Sequence, residues 1–170
     1  AALAADPKPL GTLALNGEPT SVAVRGPHAL VAVNTSTDFV NTAGELAVID
    51  IASRTLVATL PLGGQPDSVA GSPDGRYAAI AIENERDEDL GDGAPPQAPA
   101  GFLAVVDLVG APAGWTIRNV DLTGLAALYP QDPEPEFVDI NVANIAAVTL
   151  QENNHIVQVH LPTGRVIRHY

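Results

Sequence analysis

The sequence contains no cysteine and no methionine, and its only lysine is Lys8. Without cysteine there can be no disulfide, no thiolate metal centre and no cysteine nucleophile. Eight Lys and Arg face 20 Asp and Glu, a formal net charge of −12. That balance argues against a nucleic-acid partner, which needs clustered cations to neutralise phosphates. Divalent cations or a basic partner fit it better, although solubility alone is the plain reading of most of the carboxylates. No apolar run approaches the ~18–20 residues of a membrane-spanning helix, so no transmembrane segment is expected. The missing methionine extends to the first position. The chain begins AALAADPKP, which reads either as the scar of a cleaved signal peptide or as a fragment boundary.

What is present is a core-forming chain: hydrophobic residues make up 46% of it, which sets it apart from disordered tails. Those residues fall into a threefold repeat. GEPTSVAV (17–24), HALVAVN (28–34), GELAVIDI (44–51) and TLVATLPL (55–62) recur as GQPDSVAG (64–71), GRYAAIAIEN (75–84), GFLAVVDL (101–108) and WTIRNVDL (115–122). They recur again as PEPEFVDI (133–140), NIAAVTLQEN (144–153), HIVQVHL (155–161) and RVIRHY (165–170). Pro66 to Pro135 and Asn84 to Asn153 are both 69 residues, so the second and third units keep register across two segments. The first unit is three residues shorter from Pro19 to Asn34.

Alternation in LAVID and IVQVHL, with SPDG (72–75) as a turn, makes each segment a half-buried strand. Four short strands per unit of ~40–50 residues is the pattern of a β-propeller blade. The fold class expected is therefore all-β: three four-stranded antiparallel blades at approximately 17–62, 64–122 and 133–170. They lie in a partial propeller domain over 10–170, after an N-terminal tail 1–9. LGTLAL (10–15) reads as one further strand, of the kind that closes a ring by completing its last blade. Because propellers close with ~4–8 blades, the remaining blades are expected in a longer chain or in other copies. LTGLAALY (122–129) is the longest helix candidate, one or two turns. Residues 84–100, NERDEDLGDGAPPQAPA, read as a long solvated loop.

The stretch PDSVAGSPDGRYA followed by GFLAVVDL resembles the bacterial YVTN-type propellers. ENERDED and EPEFVDINVANIAAVTLQENNHIVQVHLPTGRV (134–166) look like the phytase-like (esterase-like activity of phytase) and choice-of-anchor propellers. The resemblance implies a secreted, periplasmic or cell-surface bacterial protein, and a binding or scaffold propeller with an unknown ligand or protein partner. By analogy it also implies an alternative, a metal-dependent phosphoester hydrolase, for which no catalytic residue is assigned.

Propeller geometry puts the loop entering the first strand and the loop leaving the second on one face. The repeat then brings together the residues flanking the three prolines and those ending the second strands. Candidate metal ligands there are Asp67, Glu83, Asn84, Glu136, Glu152 and Asn153. Such hard oxygen donors suit Ca²⁺, which takes 6–8 of them. The same residues have a structural reading: Asn and Asp bond their own turns, and proline marks a strand entry. The acidic run Glu83, Glu85, Asp87, Glu88, Asp89 and Asp92 lacks EF-hand spacing and reads as a solvated charge run. His28, His155, His160 and His169 show no metal-ligand spacing.

Overall fold

A computed structural model describes residues 8–170. Most of the tail 1–9, with the signal-peptide reading of its start, lies outside the described residues. Among the described residues, twelve strands form three separate sheets of four. The first is β1 (Glu18–Arg25), β2 (His28–Asn34), β3 (Gly44–Asp50) and β4 (Thr55–Pro61). The second is β5 (Pro66–Gly71), β6 (Tyr77–Ile82), β7 (Phe102–Asp107) and β8 (Thr116–Asp121). The third is β9 (Pro135–Ile140), β10 (Ile145–Leu150), β11 (His155–His160) and β12 (Arg165–His169). Each sheet is an antiparallel meander in chain order, so each is one blade.

The first strands β1, β5 and β9 lie side by side from blade to blade. Apolar side chains fill the two gaps between the sheets. Leu30, Leu46, Val48, Ile80 and Ile82 pack between the first and second blades. Leu103, Val105, Val138, Val148 and Leu150 pack between the second and third. The strand YAAIAI is buried on every residue because the middle blade has a neighbour on both faces. Its alanines let the flanking sheets approach closely.

Hydroxyls key these layers together. The main-chain N–H of Val69 donates to Ser21 Oγ at 3.1 Å, and that of Val138 donates to Ser68 Oγ at 3.3 Å. Ser21 and Ser68 occupy the same place in consecutive repeats, so one bond recurs at both junctions. At the opposite end, Arg25 donates to the Pro73 carbonyl at 2.7 Å and Asn144 to Asp74 at 2.6 Å. Arg118 donates to both Asp107 and the Leu161 carbonyl.

The outer faces of the end blades stay partly open. Val22 and Val24 on β1, and Phe137 and Ile156 on the third blade, are exposed apolar side chains on those faces. Two expectations are corrected. LGTLAL forms no strand, because each of the three sheets already draws its four strands from its own repeat. Instead Leu15 packs on Val31, Val33 and Ala47, and Arg54 holds the Leu10 carbonyl at 2.7 Å. LTGLAALY forms no helix. Gly124 and Tyr129 take positive φ (76° and 46°), and the Gly124 N–H closes the loop on the Pro130 carbonyl. A segment that short cannot overcome the cost of helix nucleation. Among the described residues the only helical piece is a 3-10 turn at Pro112–Gly114. No helix among them is long and apolar enough to cross a membrane.

Leu103 is fully buried, so Leu103→Ala is expected to cost about 2–5 kcal/mol in denaturant unfolding. Val22→Ala on the open face is expected to stay within about 0.5 kcal/mol of the parent.

Candidate functional site

The polar face is built by the turns that leave β2, β6 and β10 and the entries to β1, β5 and β9. Asn84 and Asn153 are its fixed points. Asn84 Oδ1 accepts the Gln65 N–H at 2.8 Å, and its Nδ2 donates to the Ala100 carbonyl at 2.9 Å. Asn153 Oδ1 accepts the Glu134 N–H at 3.0 Å, and its Nδ2 lies within reach of the Asp132, Leu128 and Tyr129 carbonyls. Gln65 and Glu134 are the residues just before the repeated prolines. The repeated Asn is thus a clasp, tying the exit of the second strand to the entry of the first. Both side chains are buried, and their amide oxygens serve main-chain donors. In the shorter first unit Asn34 turns elsewhere, accepting the Ser36 N–H at 2.9 Å.

The carboxylates sort into two connected groups. Asp67 on β5, Glu83 after β6 and Glu136 on β9 gather with Glu85. Burial, then the charges of Asp67, Glu85, Glu134 and Glu136, push the Glu83 carboxyl up to about 8. Asp67 is also raised, by burial first and then by Glu136 and Glu85. The second group surrounds Arg86. Its Nη1 meets Glu134 Oε2 at 2.8 Å and Glu152 Oε1 at 3.5 Å, and its Nη2 meets Glu88 at 3.2 Å. Glu134 is only 2% exposed, and its Oε1 has no hydrogen-bond partner. Burial raises Glu134 to about 7 despite the opposing Arg86 cation. Asp132, equally buried, is raised by burial against the pull of the Gln97 N–H and Arg86.

Of the six residues singled out from sequence, Asp67, Glu83 and Glu136 therefore share one cluster. Glu152 joins Glu134 through Arg86, and Asn84 and Asn153 form the frame. Among the described residues, no three His, Asp or Glu side chains stand ready as a metal cage. Sequence reasoning passed over Arg86 and Asp132 as site residues. Arg86 was the findable one, the only cation in the acidic run. It also corrects the picture of 84–100 as a free solvated loop. Arg86 Nε holds the Gly93 carbonyl at 2.9 Å, and Gln97 bonds both ways with the Asp87 main chain at 3.0 Å. The Gln97 N–H donates to Asp132 at 2.7 Å. Only the tip near Glu88–Asp92 is a solvated charge run. Beside the cluster, a shallow cleft of about 220 Å³ opens between the first two blades, lined by Asn34, Asp38, Phe39, Gln65 and Glu85 among others.

Residues 2–170 match the model of the choice-of-anchor I domain, and the chain belongs to that family. No curated protein matches the sequence. Among solved structures it is similar to Kuenenia stuttgartiensis hydrazine synthase, with a TM-score of 0.61 at 15% identity over 83% of this chain and 39% of that one. It is similar to the β-propeller domain of Myceliophteria thermophila Cps50 (Swd1), with a TM-score of 0.57 at 13% identity over 91% and 43%. The β-propeller domain of the trilobed protease from Pyrococcus furiosus gives 0.56 at 10% identity over 94% and 44%. At such identities the likeness concerns fold alone, and that fold is the β-propeller. The chain spans about two fifths of the length of these structures.

Two outcomes are expected. Asn153→Ala strands the buried Glu134 N–H and should cost on the order of 1–3 kcal/mol, whereas Asn34→Ala should cost less. Stability should also fall as pH rises. Glu83 and Glu134 lose their protons near 4.5 when unfolded but hold them to about 8 and about 7 when folded. Between those limits the native state binds more protons, so unfolding free energy declines with pH and levels off above 8. His155, lowered by burial and by His169, acts in the opposite sense below its ordinary 6.5. Denaturant midpoints of the parent and of Glu83→Gln at pH 5, 7 and 8.5 check this: the variant should decline less than the parent, keeping the share of Glu134, which levels off just above pH 7.

Proposed function

We propose that this chain is the blade-bearing part of an extracytoplasmic binding or scaffold propeller whose acidic face takes a cation, Ca²⁺ foremost. The observation that carries the reading is Glu134, a buried carboxylate with one oxygen unpartnered, beside Asp67, Glu83, Glu85 and Glu136, which lie near enough for their charges to act on one another. Burial and mutual repulsion together make these carboxyls hold their protons. A cation in their midst relieves the repulsion and supplies the missing partner. Ca²⁺ suits the all-oxygen donor set and tolerates irregular geometry. Since no cage stands ready, the ion draws the carboxylates inward and water completes its shell.

The open faces bearing Val22, Val24, Phe137 and Ile156 are, in this reading, covered by further blades of the same protein. The two-fifths coverage of the solved propellers supports that view. The location outside the cytoplasm rests on the anchored character that the family's description conveys.

Calorimetric titration with Ca²⁺ at pH 7, repeated in buffers of different ionisation enthalpy, tests the site. Binding should release protons and raise the melting temperature, and Glu83→Gln should weaken it. No heat and no shift in melting would remove the cation reading. Turnover of a chromogenic phosphoester should stay at background with and without Ca²⁺; Ca²⁺-dependent turnover would favour the hydrolase alternative instead.

A further inference from the structure

His155 opens β11 and His169 closes β12, 14 residues apart in sequence. Antiparallel pairing sets His169 opposite Val157, and Tyr170 exchanges both main-chain bonds with Ile156. Residues 155 and 157 point to the same side of their strand, so both histidines lie on one side of the sheet. Their imidazoles meet there, His155 Nε2 to His169 Nδ1 at 3.0 Å, with ring centroids 5.2 Å apart and planes inclined at 46°. The other two histidines are committed elsewhere: His160 bonds Thr163 at 2.8 Å, and His28 lies edge-on to Trp115.

We propose that His155 and His169 form a two-imidazole clamp for a borderline transition-metal ion, Cu²⁺ or Zn²⁺, with ligands distinct from the carboxylates of the polar face. With metal–nitrogen bonds of about 2.0–2.1 Å, two nitrogens on one ion stand about 2.9 Å apart at a right angle and about 3.3 Å apart at the tetrahedral angle. The observed 3.0 Å lies inside that span, nearer the square arrangement that Cu²⁺ prefers. The rings now point their facing nitrogens at each other, sharing one hydrogen bond. Chelation asks each ring to tilt so that both lone pairs converge on a point beside that line. The ring torsion of histidine is soft, His169 is exposed and His155 half-exposed, so the tilt is inexpensive. The proton on the bridging nitrogen is then carried by the other nitrogen of the same ring, with no net release from a neutral pair.

Neutral imidazole is the ligand form, and the surroundings of His155 favour it. Burial first, and then the neighbouring His169, lowers the pKa of His155. No third His, Asp or Glu among the described residues completes a cage, so the remaining positions go to water and the site is open. The strand pairing holds the two ligands in place before the ion arrives. That pre-organisation distinguishes them from histidines that share only a sequence spacing.

Cu²⁺ titration of the full chain near pH 7.5, followed by electron paramagnetic resonance, tests the clamp. The expected result is one Cu²⁺ per chain with superhyperfine splitting from two equatorial nitrogens. His155→Gln and His169→Gln should each weaken binding by about 10-fold or more, since losing even a group that merely orients a metal-bound histidine costs that much. His160→Gln should leave both spectrum and affinity unchanged. Zn²⁺ should raise the melting temperature of the parent and not of the two clamp variants. A parent spectrum without nitrogen splitting, or binding that survives both substitutions, overturns the proposal. His169 stands exposed near the end of an edge strand, so its variant keeps the test decisive if His155→Gln misfolds.

Discussion

Sheets with no strand-to-strand hydrogen bonds between them must be held by their faces, and that constraint organises this chain. Each blade is a closed meander whose main-chain ladders end within it. What binds one blade to the next is therefore apolar area, in two layers centred on Leu30, Ile80 and Leu46 and on Leu103, Val138 and Leu150. Apolar contact is strong but nondirectional. The direction comes from a few polar keys: the Ser21 and Ser68 hydroxyls near the axis, Arg25, Asp74 and Arg118 at one end, and Arg86 with Glu134 at the other. The polar face arises from the same constraint. Every blade must turn its chain from second strand to third there, and the Asn clasps anchor those turns to the strand entries.

Much of this was legible in the sequence because blades repeat. HALVAVN coincides with β2, and the other eleven segments enclose or overlap their strands closely, since alternation and turn residues mark strands directly. The places that escaped are those where tertiary contact overrides local pattern. LGTLAL alternates like a strand, yet a strand exists only where another strand's edge lies alongside to pair with it. LTGLAALY has helical composition, yet Gly124 and the Pro130 carbonyl close it as a loop.

The polar face was half legible. The repeat picked out Asn84 and Asn153 correctly as equivalent, but equivalence in a repeat marks a shared structural duty as readily as a shared ligand. Their hydrogen bonds show the structural duty. The acidic run looked solvated because charge runs usually are, and one arginine reverses that for its stem. Arg86 reaches a glutamate 48 residues away, a pairing that no local pattern encodes. The His155–His169 contact was hidden for a similar reason: cross-strand neighbours have no fixed sequence spacing when a bulge interrupts the ladder, as it does between Gln158 and Val159.

The serine keys have an asymmetry. Ser21 and Ser68 each accept a main-chain N–H from the following blade, but the third repeat carries Phe137 at that place. A ring, 62% exposed, stands where the earlier repeats hold a hydroxyl. Both junctions are thus indexed by a bond that fixes how far one strand can slide along the next. Phe137 offers no such acceptor, so the open face of the third blade lacks that stop and presents an aromatic ring in place of a hydroxyl.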